Sequence, residues 1–337
     1  MTNSDLEQLP GVSIILAVRN EAEHLDDCLG ALAALDYPTD KIELLLVDGM
    51  SEDGTATIIA DWARRDDRIK PLQNPRRTVS CGMNIGVAAA KYEYVLWISG
   101  HAILQPSHIR QCLATMESMG AAAVGGVLTT KGTTTVGKIN ASVLSTPFGV
   151  GGGAHRIGGQ SGWVPVVTMA LYRKEAIVAA GGFDESLPRS QDNDLHHRMN
   201  KLGHRSYLNV EINPTYLCRN TFGGFLKQAW NNGFWNIMLS RRGHGGFSPR
   251  HFVPMVFVGG QVGLLILGSF LPVGWWLLFG GLVFYLVCAV AVALATAIKA
   301  KMTWQAFVLP FWFAALHYTY GVASWSGFIT SKDFDKR

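Results

Sequence analysis

Short apolar runs alternate with amphipathic stretches through the first hundred residues. Residues 12–18, 42–47, 69–72 and 94–98 are apolar runs of strand length, and amphipathic segments with helical spacing separate them. This βαβαβαβ order predicts a mostly parallel sheet with helices on both faces. Later apolar runs extend the same α/β class, with strands expected at residues 121–128 and 164–172 and a helix at 173–180.

The second run, LLLVDGMSEDGT, carries the first chemical signal. Its continuous apolar part predicts a strand buried on both faces, which puts Asp48 at the edge where open α/β sheets bind ligands. We expect Ser51 to cap the next helix, with Glu52 and Asp53 in the first turn. A carboxylate at this edge suits the hydroxyl or base N–H groups of a nucleotide. No GxGxxG motif follows the first strand, which argues against a dinucleotide oxidoreductase.

The last third of the chain is apolar. Residues 253–270 and 273–298 are each long enough to cross a hydrocarbon core of about 30 Å. Residues 304–329 form a third apolar stretch that contains Pro310 and His317. The sequence leaves open whether this stretch crosses the bilayer or forms a re-entrant or surface-lying segment.

Aromatic and basic side chains alternate just before this apolar block. Residues 222–242 contain both types, which predicts amphipathic helices in the lipid headgroup layer. A hairpin of the first two apolar helices would place five cations on one side, which the positive-inside rule assigns to the cytosol. These cations are Arg241, Arg242, Arg250, Lys299 and Lys301.

Composition narrows the class of partner. Charged residues make up 16% of the chain, against about 25% in a typical soluble domain. The net charge of +4 is too small to indicate nucleic acid, and it fits a membrane surface with anionic lipid. The five cysteines show no CxxC or metal-ligand spacing, which predicts reduced thiols. The first ten residues lack a signal-peptide pattern, so we expect the N-terminal half to stay in the cytosol.

Four motifs occur in a fixed order: AVRNE, VDGMSEDGT, NPRR followed by CGMNIG, and YVLWISGHA. This series resembles the inverting, nucleotide-sugar-dependent glycosyltransferases of family 2, which have the GT-A fold. Within that family it looks most like the membrane-bound branch that builds succinoglycan-type exopolysaccharide on a lipid carrier. The resemblance implies a GT-A domain at residues 1–220, amphipathic interfacial helices at 221–251 and a membrane domain with two or three apolar helices at 252–331.

The resemblance also implies a donor site. Glu21 and Asp48 would contact the uridine, with Asp53 close by, and Arg77 would lie near the diphosphate. Helix-capping carboxylates are the alternative for Glu21 and Asp53, and a solvated loop charge is the alternative for Arg77. The full set of expected donor-binding residues is Ala17, Arg19, Glu21, Asp48, Asp53, Arg77, Asn84, Ser99, Gly100 and His101.

The expected metal motif departs from the family pattern. Members of the family carry Asp-x-Asp or Asp-x-His after the fourth strand, where a divalent cation (Mg²⁺ or Mn²⁺) would stabilise the leaving diphosphate. Here the triplet is Ser99, Gly100 and His101. Three interpretations stay open: His101 binds metal with help from the donor phosphates, cations such as Arg77 and His101 replace the metal, or donor chemistry has been lost. We favour the first two.

The catalytic base is expected in SQDNDLHHRMNKLGH, residues 190–204. In the family the matching place reads Glu-Asp, and the aspartate takes the proton from the acceptor hydroxyl. Gln191 replaces the glutamate and Asp192 matches the aspartate, with Asp194 as the nearest competitor. His196 and His197 are expected to be packed or solvated side chains.

A second set of residues is expected to contact the acceptor. The glycine-rich stretch at residues 149–163 predicts a loop beside a ligand, with a plain surface linker as the alternative. Residues 228–235 are a loose version of the family's Gln-x-x-Arg-Trp element without its arginine; a purely amphipathic anchor is the alternative. The set is His155, Arg156, Gln191, Arg198, Gln228, Trp235, Arg241 and Arg242.

Together these features predict an enzyme. It would transfer a sugar, with inversion, from a UDP-sugar to a polyprenyl-diphosphate-linked glycan at the inner face of the plasma membrane. Its partners would be the bilayer and other polysaccharide assembly proteins, without nucleic acid. Two alternatives remain: direct transfer to polyprenyl phosphate, and a non-catalytic sugar-nucleotide-binding scaffold, which the substitutions at Ser99 and Gln191 motivate.

Overall fold

Residues 9–243, 245 and 247–331 are described by the computed structural model. They divide into two units. The sheet unit contains residues 9–129 and 158–217, and the helical unit contains the described residues of 130–157 and 218–331.

Strands and helices alternate along the sheet unit, and long helices dominate the helical unit. The strands are β1 (Val12–Val18), β2 (Ile42–Asp48), β3 (Ile69–Gln73), β4 (Tyr94–Ile98), β5 (Ala102–Ile103), β6 (Ala123–Gly125), β7 (Thr129–Lys131), β8 (Gly162–Val164), β9 (Leu171–Arg173), β10 (Ser206–Leu208) and β11 (Thr215–Leu217). The helices are α1 (Leu25–Ala33), α2 (Thr55–Ala63), α3 (Val79–Ala89), α4 (His108–Met119), α5 (Thr135–Leu144), α6 (Pro147–Val150), α7 (Ala154–Ile157), α8 (Lys174–Ala179), α9 (Gln191–Lys201), α10 (Phe222–Arg241), α11 (Val253–Phe270), α12 (Pro272–Lys299) and α13 (Gln305–Ile329).

The sheet unit is built on an eight-stranded sheet with the order β3-β2-β1-β4-β9-β6-β10-β8. Strand β1 pairs in parallel with β2 and β4, so that Val18 lies opposite Asp48 and Leu16 opposite Ile98. The predicted parallel βαβαβαβ sheet is therefore confirmed. Strand β9 runs antiparallel between β4 and β6. The apolar run of β1 is almost completely buried, because it has strands on both sides and helices on the sheet faces.

The prediction that Ser51 caps the second helix is wrong. Helix α2 begins at Thr55, and Gly54 occupies the position before it. Ser51 instead donates a hydrogen bond from its hydroxyl to Asp48 Oδ1, at 2.5 Å. The small-residue turn is longer than the sequence pattern suggested, because Asp48 and Ser51 close a local loop before the helix starts.

Two predicted strands are also shorter than expected. The run at residues 164–172 is not one strand, because β8 ends at Val164, Pro165 follows, and Met169 adopts a left-handed φ of 48° before β9 begins. Within the run at 121–128, only Ala123–Gly125 form a strand, which is β6. A Cβ at Gly126 would lie 1.9 Å from the Ile212 carbonyl oxygen, so the chain leaves the ladder where it crosses that backbone.

The helical unit contains three helices that are long and apolar enough to cross a membrane. They are α11, α12 and α13, with 18, 28 and 25 residues. Leu271 is the single residue between α11 and α12, and Pro272 starts the second helix. By length and composition the protein is therefore membrane-associated.

Helix α10 packs along α13 with close backbone contact. A Cβ at Gly233 would lie 2.3 Å from the Tyr320 carbonyl oxygen, and one at Gly327 would lie 2.4 Å from that of Phe234. Asn236 Nδ2 also donates a hydrogen bond to the Tyr320 hydroxyl at 2.8 Å. The predicted interfacial segment is thus one continuous helix of 20 residues, held to α13 by small residues and hydrogen bonds.

Candidate functional site

Polar loops follow the ends of β1 to β4 and therefore meet at one edge of the sheet. The loops after β1 and β2 are joined by side chains that accept hydrogen bonds from backbone amides. Ser51 Oγ accepts from Asn20 N at 3.0 Å, and Thr55 Oγ1 accepts from Glu21 N at 2.9 Å. These bonds fix the backbone of the AVRNE motif beside the strand end that carries Asp48.

Asp48 lies at this edge and is half-buried. Its carboxylate accepts hydrogen bonds from the Ser51 amide at 3.2 and 3.3 Å, as well as from the Ser51 hydroxyl. Its carbonyl oxygen accepts from Asn74 N at 2.8 Å, which ties β2 to the loop after β3. The carboxylate is thus oriented by local bonds, which is what recognition of a nucleotide hydroxyl or N–H group requires.

The Asp53 carboxylate accepts hydrogen bonds from backbone amide groups. Its oxygens accept hydrogen bonds from Thr55 N at 2.9 Å and Ala22 N at 3.2 Å. Although burial opposes the effect, these hydrogen bonds hold the pKa of Asp53 below its ordinary value. Asp53 therefore has the geometry of a carboxylate at a helix start, the alternative weighed from the sequence.

Two guanidinium groups share one exposed carboxylate at the same edge. Glu52 Oε1 lies 3.7 Å from Arg19 Nη2 and 3.4 Å from Arg77 Nη1. Arg77 itself has a left-handed φ of 63°, which turns the NPRR loop back toward the sheet. Two guanidinium groups on one carboxylate leave one positive charge for phosphate groups, because exposed ion pairs of this kind are weak.

Two other predicted donor residues pack within the protein. A Cβ at Gly82 of α3 would lie 2.9 Å from the Ala17 side chain, so Ala17 sits in close contact with that helix. The Asn84 amide donates to the Phe183 carbonyl at 2.8 Å and to Glu185 at 2.9 Å, and it accepts from Phe183 N at 2.8 Å. Asn84 thus positions the turn at residues 181–187.

The Ser-Gly-His triplet gives the most unusual part of the edge. His101 Nδ1 lies 3.0 Å from Glu21 Oε2, and both side chains are only about one-seventh exposed, at 14% and 13%. The His101 ring also makes an edge contact with Tyr216, with 5.1 Å between ring centroids. A Cβ at Gly100 would lie 3.3 Å from the Glu21 side chain, so glycine leaves room for the pair. An ionised carboxylate only accepts hydrogen bonds, so Nδ1 donates and Nε2 remains for a ligand.

The chain alone does not complete a metal centre at this triplet. Within the described residues no group of three or more His, Cys, Asp or Glu side chains is arranged to hold a metal ion. Ser99 Oγ is buried and makes no hydrogen bond, and Glu21 and His101 face each other. One imidazole with a serine hydroxyl is a poor donor set for Mg²⁺ or Mn²⁺.

Asp192 and Asp194 have different environments at the start of α9. Asp194 is buried and paired with Arg198 at 2.8 Å, and Arg198 also donates to the Ala180 carbonyl. Asp192 is half-buried, and its charge adds to the burial that raises the pKa of Tyr172 on β9. Asp194 is therefore committed to an ion pair, which makes Asp192 the better candidate for a base.

His196 fastens α9 to the sheet. Its ring nitrogens lie 2.9 Å from Ser206 Oγ, 3.0 Å from the Val167 carbonyl oxygen and 3.0 Å from the Tyr172 hydroxyl. Val167 precedes β9 on the side where β4 ends. Burial lowers the pKa of His196 to about 4, so it is a neutral, packed histidine, as one of the expected interpretations held.

The expected acceptor residues fall in both units. Gln191 and Arg198 belong to α9 of the sheet unit, while the others belong to α7, α10 and the residue after α10 in the helical unit. Arg241 donates to the carbonyls of Gly327 at 3.0 Å and Thr330 at 2.8 Å, so it caps the end of α13. The residues in the helical unit are His155, Arg156, Gln228, Trp235, Arg241 and Arg242.

Two side chains at the edge were not predicted. Tyr216 reaches His101 because β11 pairs with β5, Tyr216 opposite Ala102. Glu52 was expected only as a helix-start carboxylate, yet it joins the two arginines. No motif marks Tyr216, whereas the acidic neighbour of a basic loop could have pointed to Glu52.

Comparison with known proteins agrees with this geometry. The family described as "Glycosyl transferase family 2" matches residues 13–180. The succinoglycan biosynthesis protein ExoA of Rhizobium meliloti (strain 1021) is 30% identical over 208 residues, which cover 61% of this chain and 63% of that protein. The chain therefore aligns with less than two thirds of that relative.

A second relative covers more of the chain. It is the dolichyl N-acetyl-alpha-D-glucosaminyl phosphate 3-beta-D-2,3-diacetamido-2,3-dideoxy-beta-D-glucuronosyltransferase of Methanococcus voltae, 24% identical over 76% of this chain and 82% of that protein. Among solved structures, the mannosyltransferase PcManGT of Pyrobaculum calidifontis with GDP-Man and Mn²⁺ has a TM-score of 0.59 and 17% identity, covering 97% of this chain and 88% of that one. This likeness supports the GT-A fold. Residues 13–180 of this chain are therefore a glycosyl transferase family 2 domain.

Proposed function

We propose that this chain transfers a sugar, with inversion, from a UDP-sugar to a polyprenyl-diphosphate-linked glycan. The setting would be the cytosolic face of the plasma membrane, in the synthesis of an exopolysaccharide or cell-surface polysaccharide. The observation that carries the proposal is the sheet edge. It combines the oriented carboxylate Asp48, the arginines Arg19 and Arg77 and the Glu21–His101 pair. Asp192, in the first turn of helix α9, is the base that the proposal assigns to this edge.

The proposed reaction needs one base and a stabilised leaving group. Asp192 takes the proton from the acceptor hydroxyl, whose oxygen attacks the anomeric carbon from the face opposite the diphosphate. The bond from the anomeric carbon to the diphosphate oxygen breaks, and its electron pair leaves with UDP. The configuration at the anomeric carbon is inverted because attack and departure occur on opposite faces.

The negative charge on the leaving diphosphate would be met by protein cations. Arg19 and Arg77 are only loosely held by Glu52, and both guanidinium groups can turn toward phosphate oxygens. His101 Nε2 faces away from Glu21 and offers a further contact. This arrangement supports the second of the three interpretations of the triplet, in which side chains take over charge stabilisation.

The name of one relative supports polysaccharide synthesis, and the name of the other supports a lipid-linked acceptor. One concerns succinoglycan biosynthesis and the other a dolichyl-phosphate-linked sugar. The three apolar helices would keep this chain at the bilayer in which such an acceptor is dissolved. Other polysaccharide assembly proteins would be its neighbours there. Direct transfer to polyprenyl phosphate is the second candidate, because that lipid has the same apolar chain and lacks only the glycan and one phosphate.

The test is release of nucleoside diphosphate by the full chain in detergent with a membrane lipid extract. We expect UDP release from one or a few UDP-sugars, and none from GDP-mannose, the donor in the Pyrobaculum complex. Polyprenyl phosphate supplied as the only acceptor tests direct transfer. UDP binding by calorimetry without turnover on any acceptor would contradict the proposal and support the scaffold alternative.

Metal dependence gives a separate prediction. We expect EDTA to leave at least half of the turnover, because the triplet is a poor metal ligand set. Replacing Ser99 by aspartate restores Asp-x-His and adds a buried carboxylate, so Ser99→Asp should become strongly stimulated by Mn²⁺. The measurement is UDP release with EDTA and with Mn²⁺ for both forms. Equal responses of Ser99→Asp and the unchanged chain would contradict the placement of Ser99 at the diphosphate.

A further inference from the structure

The described residues of the helical unit carry charges of one sign. Residues 130–157 and 218–331 contain ten lysines and arginines and no aspartate or glutamate. Apolar helices combined with cations alone suit amphiphiles with anionic headgroups. The ten cations are Lys131, Lys138, Arg156, Arg219, Lys227, Arg241, Arg242, Arg250, Lys299 and Lys301.

Arg250 is the cation with the most specific setting. It belongs to the turn Pro249–His251 just before α11, and its side chain runs along the glycine-rich segment. A Cβ at Gly151 would lie 3.2 Å from Arg250 Cβ, and one at Gly153 would lie 3.3 Å from Arg250 Nη1. Gly151 also has a φ of 68°. The glycines therefore allow the guanidinium to lie directly against backbone.

Arg250 is half-buried, and no acidic side chain of the described residues pairs with it. Among the residues that the structure describes, its guanidinium makes no hydrogen bond or ion pair. Burial lowers the pKa of Arg250, and burial and the Arg250 charge lower the pKa of His251 to about 4. His251 is thus neutral and Arg250 supplies the local positive charge. A partly desolvated cation of this kind is stabilised when a ligand brings the missing anion.

An apolar groove starts at the same turn. It has a volume of about 310 Å³ and is lined by Pro249, Phe252, Val253, Val256 and Phe257. These positions follow one face of the first turns of α11, and no polar side chain lines the groove. Arg250 belongs to the turn that supplies Pro249 to the groove, so a cation and an apolar groove follow each other along the chain. This combination matches a lipid with a charged head and an apolar chain.

One aromatic cluster contacts both the groove and the glycine-rich segment. The Phe257 ring packs on Tyr285, with 4.8 Å between centroids, and Tyr285 packs on Phe148 at 5.7 Å. His317 Nε2 donates to the Phe148 carbonyl at 2.9 Å, and the Tyr285 hydroxyl lies 2.8 Å from His317 Nδ1. This aromatic cluster fixes the groove wall relative to the backbone along which Arg250 lies.

We propose that Arg250 binds the phosphate of a polyprenyl phosphate or diphosphate and that the groove holds the first part of its chain. The proposal rests on the proposed function and names the lipid-binding residues of the helical unit. A two-chain phospholipid is the competing occupant. A groove of about 310 Å³ lined by five residues has room for only part of one chain, which favours the single-chain lipid, and phosphatidylglycerol in the experiment separates the two.

The experiment measures lipid binding to the full chain in phosphatidylcholine nanodiscs by native mass spectrometry. We expect Arg250→Gln to weaken polyprenyl phosphate binding at least tenfold. The control Lys299→Gln removes an exposed charge from the same unit and should change binding less than twofold. Val256→Trp keeps an apolar side chain at a position that is 70% exposed, so α11 should still insert, while the larger ring should fill the groove and weaken polyprenyl phosphate binding. Inorganic phosphate should not compete, because it lacks the chain.

Equal losses in Arg250→Gln and Lys299→Gln would overturn the site, as would tight phosphatidylglycerol binding that depends on Arg250. The two proposals fail differently. Specific polyprenyl phosphate binding without UDP release from any donor would refute the proposed function and keep the site. UDP release with lipid binding that ignores Arg250 would refute the site and keep the function.

Discussion

Asp192→Asn is expected to lower turnover by about 10²- to 10⁴-fold, the usual contribution of a positioned general base. Asparagine has nearly the same shape as aspartate but cannot accept the proton of the acceptor hydroxyl. UDP affinity should change less than twofold, because Asp192 is proposed to act on the acceptor and not on the nucleotide. Turnover is measured as UDP release, and affinity by calorimetry with UDP.

Asp194→Asn is the matched control, two residues along the same helix. Asp194 is buried and paired with Arg198, so the loss of its charge should lower the free energy of unfolding by about 3 kcal/mol. At a temperature where the protein remains folded, turnover should stay within a few-fold. If Asp194→Asn removed turnover while Asp192→Asn retained it, the assignment of the base would be reversed.

His101→Ala is expected to lower turnover by about 100-fold, and Glu21→Ala by about 10- to 100-fold. His101 would contact the diphosphate, whereas Glu21 is a positioning residue that holds Nδ1 at 3.0 Å and so directs Nε2 to the donor. Because Glu21 acts through His101, the double variant should be no slower than His101→Ala alone. A double-mutant cycle on UDP release measures this coupling.

Two further measurements separate positioning from loss of structure. Glu23→Ala removes an exposed carboxylate two residues away, 67% exposed, and should leave turnover within twofold. Glu21→Gln keeps an oxygen that accepts from Nδ1 and should recover part of the activity lost in Glu21→Ala. Additive effects of Glu21→Ala and His101→Ala would show that Glu21 acts independently, as a uridine contact would.

The pattern of apolar runs predicted the bounds of strands β1 to β4 almost to the residue. Strands β1 and β4 have the expected bounds, because a long apolar run buried between helices has few other stable conformations. The bounds of the later strands in the sheet were predicted less well. The two predicted runs there were interrupted by Pro165, Met169 and Gly126, where backbone conformation and a crossing chain outweigh side-chain pattern.

In the candidate site, too, the sequence predicted the positions of some residues but not their side-chain contacts. Asp48 and His101 could be placed at one edge from the sequence, because parallel strands end on the same side of a sheet. The contact of His101 with Glu21 and Tyr216 depends on side-chain packing between segments far apart in the chain. The same holds for the choice between Asp192 and Asp194, which the ion pair with Arg198 decides.

The sequence by itself determined the α/β class, the apolar helices and the chemistry at the strand ends, because periodicity and motif order are local properties of the chain. Only the tertiary structure decided which charged groups pair with each other and which are bound to backbone. It assigned Asp53 to backbone amides, Asp194 to Arg198, and Arg250 to a glycine-lined position beside an apolar groove. The physical reason is that burial and partners distant in sequence determine whether a charged side chain is already paired within the protein.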